Sequence, residues 1–377
     1  MGWASVKIVF LINNLAVGGA ERLVQLLANR FSRWGHQIAI WTLEEGESAY
    51  ELDADIKIER FRLSAPGTRW RNLFLMPQAW ELRKRLQAHR PDVVMSLLLR
   101  PNLVRGLAML GQSTRGNWAS EHCRLEQEFP PEQPTGRLLK WLVRQTYSRA
   151  EGCIAVSQDA ASCLVDWGLD PGKITVIPNP IDLEEIERLA GPPNPAPRRP
   201  RIAHMGRLVE GKDQATLLQA AAPVLERYDA ELIVIGDGPS RPKLVRLSHE
   251  LGVPDRVRFL GSQPNPFPYL RQSDIFALSS RSEGFGLALV EAMACRLAVV
   301  STRSGSGPVS ILEEGRHGVL VPPQDVESLR RALERFLREP QVRADYADRA
   351  FRRATAYDVG PIAREYGRVL RLAAPTS

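Results

Sequence analysis

Asp274-Ile275-Phe276-Ala277-Leu278-Ser279-Ser280-Arg281-Ser282-Glu283-Gly284-Phe285-Gly286-Leu287-Ala288-Leu289-Val290-Glu291-Ala292-Met293-Ala294 is the stretch on which the reading of this chain turns. A short apolar run, Ile275 to Leu278, meets small polar residues and two glycines. An alanine- and leucine-rich segment then begins, so the pattern predicts buried strand, tight turn, helix. Gly284 and Gly286 remove side chains where the backbone turns, and the free N–H groups of the first helical turn can then face an anion, assisted by the helix dipole. Glu283 stands at the mouth of that helix, and Glu291 follows eight residues on, about 12 Å along the axis. The span suits a molecule with hydroxyls at both ends and a diphosphate between them, as in a nucleotide sugar. A capping acid, a solvated helical glutamate and a plain turn would account for the same residues, so spacing alone leaves both readings open.

The chain of 377 residues is too long for one ordinary core and suits two domains of roughly 180 residues each. A hydrophobic content of 44% without low-complexity tracts indicates a globular protein. Cys123, Cys153, Cys163 and Cys295 lie far apart, and the histidines show no ligand spacing, so neither a disulfide frame nor a zinc site is expected. No signal peptide or membrane-spanning run is read, and the expected location is cytoplasmic, with a peripheral seat on the inner face of the membrane as the finer expectation. That expectation comes from charge: the formal net charge is +7, and residues 60–149 hold 16 Lys and Arg against 6 Asp and Glu, with tryptophans interleaved at Arg69-Trp70-Arg71 and Lys140-Trp141. Such a region can rest on an anionic membrane, and a solvated basic face explains it equally well. Nucleic acid is not an expected partner, because no recognised nucleic-acid module occurs.

Along the chain, strand and helix patterns alternate as in doubly wound α/β domains. Val6 to Ile12 is a first strand, and Gly18-Gly19 opens the turn into the next helix, where a ligand could approach the backbone closely. Asp53-Ala54-Asp55 spells a metal-binding pair but stands before a short strand with no other ligand candidates nearby, so no metal is expected. His122 follows a strand ending at Glu121, at the carboxyl edge where open α/β sheets collect ligands. The proline-rich segment 191–200 reads as a linker. Beyond it, Gly206-Arg207-Leu208-Val209-Glu210-Gly211-Lys212-Asp213 sets a guanidinium fork and an ammonium five residues apart beside a glycine turn, a pair able to converge on a diphosphate leaving group.

The run Ser282 to Ala294, with its two glutamates eight apart, closely resembles the motif of the group 1 glycosyltransferases, the retaining family 4 enzymes of the GT-B fold. Gly18-Gly19-Ala20-Glu21-Arg22, the Ile177 to Asp182 segment, the Arg207 to Asp213 clamp and Gly236-Asp237-Gly238 occur in the family's order, so the resemblance covers nearly the whole chain. It implies two facing Rossmann-like domains with parallel sheets: an acceptor domain over 1–190, the linker 191–200, a nucleotide-sugar domain over 201–355, and a helix over 356–377 that crosses back to the first. It also implies roles. Glu283 contacts the donor sugar, Glu291 the ribose, and the Gly284, Phe285, Gly286 and Leu287 turn the diphosphate together with Arg207 and Lys212; Gly18 and Gly19 lie near the donor phosphates, and His122 reaches the sugar. The implied reaction is metal-independent, cofactor-free transfer with retention from a nucleotide sugar to a hydroxyl of a glycan or lipid-linked acceptor in cell-surface polysaccharide or glycolipid assembly. A uridine-linked N-acetylhexosamine is the finer donor expectation. Arg303 and Ser310 stand where many relatives carry acids, which keeps a non-catalytic partner subunit or a nucleotide-sugar epimerase on the same fold as alternatives.

Overall fold

The structure, a computed structural model, describes residues 5–16, 18–62, 75–112, 115–122, 125–130, 132–192 and 199–372. The basic Arg69-Trp70-Arg71 run, Cys123 and most of the proline-rich segment lie outside the described residues. The chain forms two compact units.

In the first unit, β1 (Lys7–Ile12), α1 (Gly19–Arg33), β2 (Gln37–Thr42), β3 (Lys57–Arg60), α2 (Leu75–His89), β4 (Val93–Leu97), α3 (Leu99–Ala108), β5 (Asn117–Glu121), α4 (Leu125–Glu128), α5 (Pro134–Tyr147), β6 (Gly152–Ala155), α6 (Gln158–Asp166) and β7 (Ile174–Val176) follow one another. The strands make one seven-stranded sheet in the order β3-β2-β1-β4-β5-β6-β7. Every pairing is parallel, so the strands are joined by crossovers, most of which lay a helix on a face of the sheet, and β4 and β5 are buried along their whole length. Buried Phe10, Leu23, Leu27, Phe31 and Ile40 fill one core layer, joined by Ile362 and Tyr366 from the last helix of the chain.

In the second unit, α7 (Leu183–Ala190), β8 (Arg201–Met205), α8 (Gln214–Arg227), β9 (Glu231–Ile235), α9 (Arg241–Glu250), β10 (Val257–Gly261), α10 (Phe267–Arg271), β11 (Ile275–Leu278), α11 (Leu287–Ala294), β12 (Ala298–Thr302), α12 (Ser306–Ile311), β13 (Val319–Val321), α13 (Val326–Arg338) and α14 (Pro340–Ala354) repeat the alternation. Its six strands are ordered β10-β9-β8-β11-β12-β13, again all parallel. The chain's last helix, α15 (Val359–Val369), belongs to the first unit and packs on α1.

The division between units falls at Pro180 and Ile181, ahead of the 190 and 191–200 limits read from composition. The reason is α7, an amphipathic helix capped by Asp182, whose side chain accepts from the Glu185 N–H at 2.9 Å. It packs on α10 and α11: Asn265 donates to the Leu189 carbonyl at 2.9 Å, and Arg271 pairs with Glu187. Proline density marks where the chain bends but not which core captures the preceding helix.

Close helix packing in the first unit depends on Gly106. A Cβ there would come within 2.3 Å of Thr146 Cβ and 2.7 Å of its carbonyl oxygen, so α3 and α5 approach only because this side chain is missing. Gly106→Ala should therefore lower stability by about 1–3 kcal/mol through overpacking; a thermal unfolding midpoint equal to wild type would refute the tight approach.

Candidate functional site

In each sheet the strand order reverses beside the first strand of its unit, between β1 and β4 and between β8 and β11. Loops leaving the carboxyl ends of strands at such a reversal diverge and leave room for a ligand. In the second unit four turns meet there. The Gly206 N–H donates to the Ile235 carbonyl at 3.0 Å, and Leu208 N–H to the Asp237 carbonyl at 2.9 Å. The turn after β9 presses so closely on the turn after β8 that a Cβ on Gly236, whose φ is +127°, would lie 2.1 Å from the Gly206 carbonyl oxygen. Arg281 N–H donates to the Gly211 carbonyl at 2.9 Å and Glu283 N–H to the Ser304 carbonyl at 2.7 Å, which ties the turns after β8 and β12 to the one after β11. Gly286, in the left-handed region with φ +101°, ends that turn as the cap of α11.

Lys212 and Glu283, 71 positions apart, meet at the centre: Lys212 Nζ lies 2.6 and 2.8 Å from the two carboxylate oxygens. Glu283 is 8% exposed, and its Oε1 also accepts from Ser280 Oγ at 2.6 Å. A buried carboxylate is tolerated when a cation and a hydroxyl satisfy it. The loop carrying Lys212 is pinned in turn, since Ser279 Oγ donates to the Lys212 carbonyl at 3.0 Å. Arg207, on the same loop, is exposed, and its guanidinium meets no partner among the described residues. Its backbone is held from below: Gln214 Nε2 donates to the Arg207 carbonyl at 3.1 Å and also bonds His204 Nε2 at 3.2 Å, while His204 Nδ1 bonds the Ala277 carbonyl at 2.9 Å. Glu291 lies in α11, partly buried.

The remaining site residues from the sequence reading lie in the first unit. Gly18 is extended, with φ −177°, and its N–H and carbonyl both bond the Tyr50 hydroxyl, at 3.0 and 2.9 Å. A Cβ on Gly18 would strike the Glu21 carboxylate at 2.2 Å, and Gly19 begins α1. Burial raises the pKa of Glu21. His122 follows β5; its Nε2 bonds Ser120 Oγ at 3.1 Å, and its buried Nδ1 has no partner among the described residues. Burial lowers its pKa to about 4, so the ring is neutral at pH 7. Asp53 is engaged by Arg33 through bonds of 2.9 and 3.0 Å. Arg303, one of the departures from the family pattern, forms a surface pair with Glu314 at 2.8 Å.

Sequence reading passed over Ser280, Tyr50 and the His204–Gln214 pair. A histidine among the buried residues of β8 was the one available signal, because buried polar atoms are usually hydrogen-bonded. Tyr50 has no local signal; it reaches Gly18 from a loop 32 positions away.

The first half of the chain, residues 17–185, matches the model of Glycosyltransferase Family 4, and residues 186–353 match that of Glycosyl transferases group 1. Over 364 residues, 95% of this chain and 98% of the relative, it is 30% identical to the N-acetylgalactosamine-N,N'-diacetylbacillosaminyl-diphospho-undecaprenol 4-alpha-N-acetylgalactosaminyltransferase of Campylobacter jejuni. It is 29% identical over 342 residues, 88% of this chain and 89% of the relative, to the lipopolysaccharide core biosynthesis glycosyltransferase LpsE of Rhizobium meliloti. Among solved structures, Anabaena HepE in complex with UDP superposes with a TM-score of 0.77 at 22% identity, covering 97% of this chain and 99% of the other.

Burial also holds His204 near pKa 4, against an ordinary value of 6.5. A depressed folded-state pKa means that the unfolded chain binds the proton more readily, so this contribution is complete above pH 6.5 and is lost as the pH falls toward 4. His204→Gln should accordingly lose less of its unfolding midpoint than wild type across that window, and parallel curves for the two proteins would exclude a buried neutral imidazole.

Proposed function

The chain belongs to the group 1, family 4 glycosyltransferases, and from that premise we propose that it transfers a sugar from a nucleotide diphosphate donor, with retention, to a hydroxyl of a lipid-linked glycan. The observation that carries this reading is the meeting of Lys212, Glu283 and the Gly284–Gly286 turn at one sheet edge, with the unengaged Arg207 on the same loop. As the bond from the anomeric carbon to the diphosphate breaks, negative charge grows on the leaving oxygen. Lys212, Arg207 and the N–H groups opening α11 can share that charge without a bound metal, and preorganised charge of this kind is the largest single term available to such a site. Glu283 pairs with Lys212 and positions the donor sugar, while Glu291 takes the ribose. No covalent nucleophile is invoked; the acceptor attacks the face from which the diphosphate leaves, through an oxocarbenium-like state.

The donor proposed is a uridine diphosphate N-acetylhexosamine. Two things support it: the relative from Campylobacter jejuni is named for N-acetylgalactosaminyl transfer to a diphospho-undecaprenol acceptor, and HepE was solved with UDP. Lys212→Ala and Arg207→Ala should each lower kcat/KM by about 10²–10³-fold with the circular dichroism spectrum unchanged. Near-normal turnover in either would remove the diphosphate clamp. In a thermal-shift panel, the uridine diphosphate N-acetylhexosamines should stabilise the protein most; a panel in which no uridine or guanosine donor acts would remove the donor assignment.

A lipid-linked acceptor places the reaction at a membrane surface, and the basic region 60–149 offers a face for it. On α2, Met76 and Trp80 are 64% and 58% exposed, one turn apart, with Lys84 Nζ 3.5 Å from the Trp80 ring centroid. On α5, Leu138 and Trp141 are 65% and 58% exposed between Arg137 and Arg144. Both helices pack against α3, so the two stripes belong to one side of the sheet. Tryptophan with flanking cations is the composition of an interfacial seat. The protein should sediment with phosphatidylglycerol vesicles at low salt and not with phosphatidylcholine vesicles, and the Trp80→Ser/Trp141→Ser double variant should lose most of that binding; equal sedimentation of the variant and wild type would remove this contact.

A further inference from the structure

Beneath His122 runs a chain of buried polar side chains that nothing in the proposed reaction uses. Arg105, at 0% exposure, donates through Nε to Ser96 Oγ at 2.9 Å, and Ser96 Oγ donates to Asn102 Oδ1 at 2.6 Å. Asn102 Nδ2 donates to the Tyr147 hydroxyl at 3.0 Å and to the Ser120 carbonyl at 2.9 Å. The Tyr147 hydroxyl donates to Glu121 Oε2 at 2.8 Å, and Glu121 Oε1 accepts the His122 N–H at 3.0 Å. The chain thus crosses from β4 through α3 and α5 to the end of β5, with a cation at one end and a carboxyl group at the other.

Burying such groups is expensive. Glu121 and Tyr147 are each 1% exposed, and the two terminal nitrogens of Arg105 meet no acceptor among the described residues. Apolar residues of similar volume would serve a purely structural core as well or better. What the chain does accomplish is specific to three consecutive residues. Asn102 adds a second donor to the Ser120 carbonyl, which already takes the Leu98 N–H, and the Glu121 carboxyl group takes the His122 N–H. Ser120 Oγ then holds His122 Nε2, which leaves the buried Nδ1 as the one nitrogen of the ring without a partner among the described residues.

We propose that the Arg105–Ser96–Asn102–Tyr147–Glu121 chain is a positioning device for His122, fixing the backbone of residues 120–122 and the ring so that the buried Nδ1, left without a partner among the described residues, is the nitrogen that a ligand hydroxyl would take. Its members are positioning residues and touch no substrate. The activity arm of the inference rests on the glycosyl-transfer reading above; the ring-geometry arm does not. Burial, together with the neighbouring Glu121, keeps the Tyr147 phenol protonated far above its usual range, as a donor in this chain must be.

Tyr147→Phe removes one hydroxyl and keeps the ring. The ¹⁵N resonances of the His122 imidazole should move relative to wild type, and kcat should fall by up to about 10²-fold, the cost of a misplacement on the order of 1 Å. The KM for the nucleotide sugar should stay within about two-fold, a change of at most ~0.4 kcal/mol. In a His122→Ala background the same substitution should cost almost nothing more, because both act through one ring. Glu121→Gln, nearly isosteric, should give an intermediate effect and serves as the second probe if Tyr147→Phe does not fold. Unchanged His122 resonances with unchanged kcat in a folded variant, or fully multiplicative losses in the double variant, would overturn the proposal. If wild type transfers no sugar to any acceptor while the His122 resonances still move in Tyr147→Phe, the positioning stands and only the transfer reading fails.

Discussion

A carboxylate with 8% exposure has to be given a cation, and Glu283 receives Lys212. Much of the arrangement at this edge of the second unit's sheet follows from this contact. For the two side chains to meet, β8 and β11 must be neighbours in parallel register, as they are through Ile202 and Ala203 against Ile275 and Phe276. The loops at their carboxyl ends must also stay down on the sheet, and the bonds from Ser279 to the Lys212 carbonyl and from Arg281 to the Gly211 carbonyl hold them there. Glycine is required where the turns touch: at Gly236 against Gly206, and at Gly307, where a Cβ would sit 2.4 Å from the Phe285 carbonyl oxygen. The ion pair, the strand order and the glycines are three expressions of one constraint, a charged pair enclosed at the edge of a parallel sheet.

The two units solve a similar problem with similar means. Each sets a histidine at or near the carboxyl end of a strand, His204 on β8 beside the reversal of its sheet and His122 after β5, one strand further from the reversal, and each keeps that ring neutral by burial. The engagement of the rings differs. His204 has partners on both nitrogens and supports the loop that carries Arg207, so it stabilises the site from beneath. His122 has one nitrogen bonded and the other, buried, without a partner among the described residues. The buried chain ending at Glu121 lies under the second kind of histidine, where orientation matters most.

Strand periods and the helices that follow glycine turns were legible in the sequence. β1, β8, β9 and β11 stand where apolar runs end in glycine or small polar residues, and α11 begins immediately after Gly286. Helix α1 starts at Gly19, directly after Gly18, where a Cβ would strike the Glu21 carboxylate at 2.2 Å. Helix α7 was missed because its eight residues sit between proline-rich segments that look like linker, and only its packing on α10 and α11 reveals it as part of the second unit.

From the residues alone came the alternation of elements, the glycine turns, the resemblance to the family, and the charged side chains Arg207, Lys212 and Glu283 beside those turns. All of these are local: a turn, a period or a motif lies within about twenty positions, and backbone sterics or helix geometry fixes its meaning there. Which strand lies beside which was decided only by tertiary structure, and with it every contact across long separations: Lys212 with Glu283, Tyr50 with Gly18, Tyr147 with Glu121. Those pairings are set by how buried surfaces and polar groups satisfy one another once the sheet has assembled, and that balance is not encoded in the spacing of residues along the chain.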